Sequence, residues 1–317
     1  MGSQRPHAST MPHQPHESTI ARAGRFQLTH LQKRNLWGFV FALPALILFV
    51  AFAIIPIVRT FYISFFEYDL LTEPTFIGLD NYQTILSEPR FHRSLLQTFA
   101  YVAMTFIPVW ILALLLALAL NTKIRARAFF RTVYFIPVVM SWVVVSVIWK
   151  LIFHRNGLLN VMFLDPFGAS PKTWLTDQSL APFAITMMSI WKEVGFFMVV
   201  FLAGLQAIPG EYYEAARVDG SNNWTAFRFI TLPLLQPTIL FATVIGLITG
   251  LQIFIPQFVM THGGPVDATL VLTLDIYETA FVFLKMGKAA AMSVVLFGII
   301  ALLVLIQFRL YRSRAYS

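Results

Sequence analysis

The chain has 317 residues, 57% hydrophobic and only 12% charged, with a mean hydropathy of +0.70, which excludes an ordinary soluble domain. Its formal charge of +8 is spread as membrane proteins spread it, not clustered as in a nucleic-acid footprint. The absence of cysteine removes disulfides and thiolate metal sites.

Residues 1–35 form a polar segment with His7, His13, His16 and His30 at irregular spacing. It lacks the apolar core and cleavage site of a signal peptide. It reads as a mobile cytoplasmic tail, its histidines too scattered for a metal site. Six apolar runs follow at 36–58, 95–120, 133–153, 180–208, 234–259 and 289–308. A hydrocarbon core of about 30 Å takes roughly 20 helical residues, and each run suffices. Backbone polar groups find no water in lipid, so such runs are helices or closed barrel strands. Their length without alternation makes them helices. The expected fold is all-α, an integral membrane bundle of six transmembrane helices over residues 36–312.

Basic residues set the orientation. With the N-terminus inside, the inner segments carry fourteen lysines and arginines against eight in the outer segments, while ten acidic residues lie outside. This positive-inside bias places both termini and the 209–229 loop in the cytoplasm. Lys123, Arg125, Arg127 and Arg131, between the second and third spans, read as a headgroup anchor. In the first outer segment Gly78 permits a turn, and Asp80 or Asn81 is placed to cap a short helix toward Leu86. In the last outer segment Thr261-His262-Gly263-Gly264-Pro265 predicts a tight bend, with an interfacial helix running on to Phe283.

Polar groups inside the spans need a reason. Lys192 and Glu193 fall in the fourth span, where a mid-bilayer charge costs about 2.5–3.5 kcal/mol on insertion scales. Adjacent helical positions point about 100° apart, so one can face an aqueous pathway while the other pairs with a neighbouring helix. In the alternative, the pair sits nearer the outer interface with Lys192 snorkelling. In the fifth span Gln252 and Pro256 share a helical face, Gln257 lies nearby, and Phe254 stands between them. Amides and aromatic faces suit a hydroxylated ligand; helix–helix hydrogen bonding is the competing reading.

The 209–229 loop carries the densest pattern. Pro209-Gly210 ends the fourth span, and Glu211 to Asp219 favour helix, with Glu211 and Glu214 early where the dipole prefers acids. Gly220 supplies a left-handed stop, and Ser221 or Asn222 caps a second short helix with Trp224 and Phe227 on one side. Ala215 and Ala216 allow close approach by a partner's backbone, with Glu214, Arg217 and Asp219 as charges beside them. No phosphate loop, histidine pair at metal spacing or nucleophile elbow occurs. The chain is expected to be no enzyme by itself and to bind no cofactor, so the energy for any pumping comes from another subunit.

Glu214-Ala215-Ala216, three residues, Gly220, nine residues, then Ile230-Thr231-Leu232-Pro233 resembles the coupling loop of permease subunits in binding-protein-dependent ABC importers. Phe130-Arg131-Thr132 with Phe135-Ile136-Pro137, the 76–82 segment, the Gly263-Gly264-Pro265 turn and Gln307-Phe308-Arg309 extend the resemblance to the carbohydrate-uptake branch, maltose and glycerol 3-phosphate permeases included. The resemblance implies a type I importer fold in a bacterial or archaeal plasma membrane. It implies a second, homologous permease subunit, two ATPase subunits that dock on the loop and use ATP and Mg, and an extracytoplasmic solute-binding protein. It also implies a sugar or polyol as substrate, with pathway contacts in the span before Gly263. Neutral carbohydrate is favoured over glycerol 3-phosphate, because Lys192 is the one basic residue deep enough to meet an anion. A proton-coupled secondary transporter is the alternative from another class; it predicts no docking loop and usually more spans or an inverted repeat.

Overall fold

The computed structural model describes residues 30–122 and 126–315, with side chains over 37–122 and 126–311. The expected tail up to residue 29, with His7, His13 and His16, lies outside the described residues, as do Lys123 and Arg125. Two compact units divide between Ile55 and Pro56. In the first, α1 (His30–Phe49) passes into a π-helical turn (Val50–Ile54), with the rings of Trp37 and Phe41 6.2 Å apart.

The second unit continues from α2 (Ile55–Ile63) into a small antiparallel pair, β1 (Phe66–Glu67) and β2 (Thr75–Phe76), in which Phe66 stands opposite Phe76. Six helices follow: α3 (Asp80–Ser87), α4 (Pro89–Asn121), α5 (Arg127–Val139), α6 (Trp142–Ile152), α7 (Leu158–Phe163) and α8 (Leu180–Gln206). Then come α9 (Glu211–Val218), α10 (Asn223–Ala226), α11 (Leu232–Leu234) and α12 (Gln236–Leu251), and last α13 (Ile255–Met260), α14 (Leu272–Tyr277) and α15 (Met286–Ala315).

Four stretches are long and apolar enough to cross a membrane: Trp37–Ile63, Pro89–Asn121, Leu180–Gln206 and Met286–Tyr311. The other two expected spans are broken, not continuous. α5 and α6 meet at 98°, and Asn223–Leu234 meets Gln236–Leu251 at 64°. Among the described residues, length and composition allow up to six spans when each bent pair is taken as one. Composition hides the first break because the residues flanking it stay apolar. Pro137 removes one amide donor from the last turn of α5, and Met140 and Ser141 then adopt extended backbone.

α4 and α8 make the most extensive helix pair. Val109, Ala113 and Ala117 of α4 are fully buried, a ridge of every fourth residue suited to packing in a facing groove. Phe106 meets Phe197 edge to face, centroids 5.9 Å apart. α5 crosses α8 so closely that a Cβ on Gly195 would sit 1.9 Å from the Tyr134 carbonyl oxygen.

Two local expectations are corrected. Neither Asp80 nor Asn81 caps α3, whose N-cap position is Leu79 with no side-chain bond. Asn81 instead turns inward and donates Nδ2 to the Ser64 and Phe66 carbonyls at 3.0 and 2.9 Å, because those chain-end acceptors are buried and need a donor. The stretch to Phe283 is also not one interfacial helix. α14 runs into a π-helical turn (Glu278–Val282) and is pinned to α4. Asp275, 2% exposed, accepts from Arg90 Nε at 2.7 Å and Ser94 Oγ at 3.0 Å, and Arg90 also pairs with Glu278.

Gly195→Ala is therefore expected to destabilise the purified protein by about 1–3 kcal/mol, the usual range for overpacking. Gly298→Ala meets no atom within 4 Å and serves as the neutral control. Thermal unfolding in detergent compares them; equal melting temperatures would refute the close crossing.

Candidate functional site

Lys192 lies mid-way along α8 and is 3% exposed. Its ammonium donates to the carbonyls of Pro137, Val138 and Met140 at 3.1, 3.2 and 2.8 Å and sits 4.8 Å from the Trp142 ring centre. These acceptors lie at the break between α5 and α6. A helix C-terminus leaves carbonyls unpaired and carries partial negative charge, and in a membrane no water serves them. One cation answers both demands. The snorkelling arrangement is thus not found: the ammonium is buried and directed at the carbonyls of the break.

Glu193, one residue on, points elsewhere. It lines a cavity of about 290 Å³ together with Tyr101, Trp142, Thr249, Gln252 and Phe254. The adjacent charges diverge as helical periodicity requires. Among the described residues no ion pair includes Glu193, so its carboxylate faces the cavity without a cation of its own.

Gln252 lines the cavity at a further break, distinct from the 64° bend at Leu235. α12 stops at Leu251 and α13 starts at Ile255, with Phe254 at φ −141°, ψ −50°. The Ile253 carbonyl, freed by that break, accepts the Thr273 hydroxyl. Gln252 and Pro256 consequently do not share one helical face, a correction to the continuous fifth span. Gln257 is 1% exposed and lines a smaller void of about 20 Å³ with Thr186; Tyr101 borders both hollows, and Gln252 lines only the larger. Tyr101, Trp142 and Thr249 were missed in the sequence because none interrupts the apolar pattern of its span.

At the other end of α8 the chain projects α9. Gly220 at φ +76° ends it, with Gly220 N–H on Arg217 O at 3.1 Å and Ser221 N–H on Ala216 O at 2.9 Å, the paired bonds of a glycine-terminated helix. Asn222 Oδ1 accepts the Thr225 amide at 2.8 Å and so caps α10. Trp224 and Phe227 rings lie 5.7 Å apart. The alanine pair divides: Ala216 is buried within the chain, while Ala215 is exposed with Glu211, Glu214, Arg217 and Asp219. Tyr213 OH bonds Thr231 Oγ1 at 3.0 Å and fastens α9 to the segment leading into α12. Val218 is 88% exposed and Trp224 67%. Val218 was passed over in the sequence because a lone valine at a helix end carries no signal.

Broken helices around a largely apolar cavity that holds Glu193 and Gln252, with a patterned helix pair projecting at one end, are the layout of a membrane transport subunit. Residues 84–315 match the family described as binding-protein-dependent transport system inner membrane component, and the chain belongs to this family of ABC transporter permeases. It is 35% identical to the lactose transport system permease protein LacF of Rhizobium radiobacter, over 87% of this chain and 94% of that one. It is 34% identical to the arabinooligosaccharides transport system permease protein AraP of Bacillus subtilis, over 87% and 88%. A solved bacterial ABC transporter involved in import of the acidic polysaccharide alginate contains a chain of the same fold. The TM-score is 0.78 at 25% identity, covering 89% of this chain and 96% of that one.

Lys192→Met leaves three buried carbonyls without their charged donor. The expected loss is about 2 kcal/mol or more, read as a fall of roughly 5 °C in melting temperature. An unchanged melting temperature accompanied by lost transport would instead place Lys192 in the pathway.

Proposed function

We propose that the chain is a pathway-forming permease subunit of an ATP-driven importer for a mono- or oligosaccharide or related polyol. The observation that carries this is the cavity around Glu193 and Gln252. A carboxylate and an amide accept and donate to hydroxyls, while Trp142, Tyr101 and Phe254 offer faces to sugar C–H groups. The carbohydrate substrates named for the relatives support the same class.

In this reading the membrane is the plasma membrane of a bacterium or archaeon, and α9 with both termini faces the cytoplasm. The exposed surface of Glu211, Glu214, Ala215, Arg217, Val218 and Trp224 suits a short helix seated in a groove of a soluble partner. That partner is one of two ATPase subunits, which consume ATP and Mg. A homologous second permease subunit completes the pathway, and an extracytoplasmic solute-binding protein delivers the saccharide. Closure of the ATPase pair moves α9 and exchanges outward for inward access to the cavity.

Two variants test this. Ala215→Trp, at an exposed position, is expected to abolish co-purification of the ATPase subunit without altering the melting temperature; undiminished capture would refute α9 as the docking element. Gln252→Leu is expected to reduce saccharide-stimulated ATP hydrolysis about tenfold with assembly intact, the scale of one buried hydrogen bond to substrate. Saccharide uptake in vesicles driven by a proton gradient without ATP would sink the importer reading.

A further inference from the structure

A second hollow, about 470 Å³, lies where α6 ends and α8 begins. α8 runs 27 residues, about 40 Å at 1.5 Å per residue, so this hollow is at the opposite end of the bundle from α9. Lys150, His154, Arg155 and His262 give it four basic side chains, Phe153 and Trp174 give it rings, and no carboxylate lines it. Asp177, next in sequence to the lining residue Thr176, is not among the lining residues; its Oδ1 accepts the Ser179 amide at 2.8 Å, the Ser179 hydroxyl at 2.6 Å and the Leu180 amide at 3.1 Å.

One buried amide builds the walls. Asn160 is 1% exposed and donates Nδ2 to the carbonyls of His154, Arg155 and Lys172 at 3.3, 2.8 and 2.9 Å. Its Oδ1 accepts from Lys172 N at 3.2 Å and from the Trp174 indole at 3.0 Å. The turn bearing His154 and Arg155 and the segment bearing Lys172 and Trp174 are thereby held together before any ligand arrives. Phe153, 1% exposed, backs Trp174 with ring centres 6.1 Å apart. Among the described residues no ion pair includes Lys150, His154, Arg155 or His262. Lys150 makes one bond, to the Val259 carbonyl at 3.3 Å, and His262 rests edge-on against Phe258. The basic side chains thus share the hollow with Trp174 and have no ion-pair partner among the described residues.

Guanidinium and ammonium groups bind carboxylates, and indole faces pack on sugar C–H surfaces. The hollow also shares two helices with the Glu193 cavity: α6 lines one with Trp142 and the other with Lys150, α13 one with Ile255 and the other with Met260. Trp142 and Lys150 are about 12 Å apart along the helix axis, so an oligosaccharide reaches both places. The inner cavity offers a carboxyl, Glu193, and no cation among its lining residues, whereas the outer hollow offers Lys150 and Arg155 to a sugar carboxylate.

We infer that this hollow is an outer subsite for an acidic saccharide, holding a sugar carboxylate by Arg155 and Lys150 with the ring against Trp174. The inference rests on the saccharide reading above and narrows it. In the assembled transporter in nanodiscs, digalacturonate is titrated against lactose as the uncharged counterpart. Digalacturonate binding is expected to weaken at least about tenfold in Lys150→Gln/Arg155→Gln, and to weaken on raising salt. Lactose affinity stays unchanged, and Lys150→Arg restores most of the loss in Lys150→Gln. Both side chains are exposed, so melting temperature is expected to match the wild type. Digalacturonate that binds the double variant as tightly as the wild type, or does not bind the wild type, overturns the inference. So does a double variant that keeps digalacturonate binding but loses capture of the solute-binding protein, which would make the hollow a docking surface for an acidic loop. The saccharide reading fails separately, when neither sugar stimulates ATP hydrolysis while digalacturonate still binds.

Discussion

The bond set from Lys192 to the three carbonyls at the end of α5 is the constraint on which the rest depends. Bending a transmembrane span by 98° exposes acceptors that lipid cannot serve, and each unsatisfied group costs several kcal/mol. An ammonium with three donors, itself costly to bury, meets three acceptors at a negatively polarised helix end. Each is tolerable because of the other. With the break stabilised, Trp142 and Glu193 come to line one hollow. The Thr273 hydroxyl serves the second break in the same manner, at the Ile253 carbonyl. The cavity is thus made by interrupting helices, and the interruptions are kept by side chains distant in sequence.

That distance explains what the sequence revealed and what it concealed. The loop at 209–229 was legible because polar residues and Gly220 stand out between apolar spans, and its caps are local. The span count was legible from length alone. The two breaks were not, since apolar composition runs on past Met140 and past Gln252, and the deciding partners lie 52 to 55 positions away for Lys192 and 20 for Thr273. Divergence of Lys192 and Glu193 follows from helical periodicity; which of them faces the hollow depends on where α5 crosses. Gln257, similar in type to Gln252, parts from it because the chain turns between them. Lys150, Arg155 and His262 each read alone as residues flanking a span, and only the fold collects them.

The two hollows on α6 and α13 differ in sign. The inner one holds a lone carboxylate, the outer one four basic side chains. On the proposed route, a ligand would meet the basic hollow first and the carboxyl of Glu193 after it. Such an order would give that route a polarity independent of any conformational change, and would orient a ligand charged at one end.

The Tyr213–Thr231 bond has a mechanical meaning. α9 follows α8 directly, and through Thr231 it is also tied to the π-helical turn (Phe227–Thr231) that leads, by way of α11 and the 64° bend, into α12. If α9 takes the proposed stroke from an ATPase, it would act as a bell-crank with two output arms. One arm is the helix bearing Glu193; the other is α12, which carries Thr249 and ends just before Gln252. One displacement at the exposed face of α9 would then reach two elements that line the same hollow.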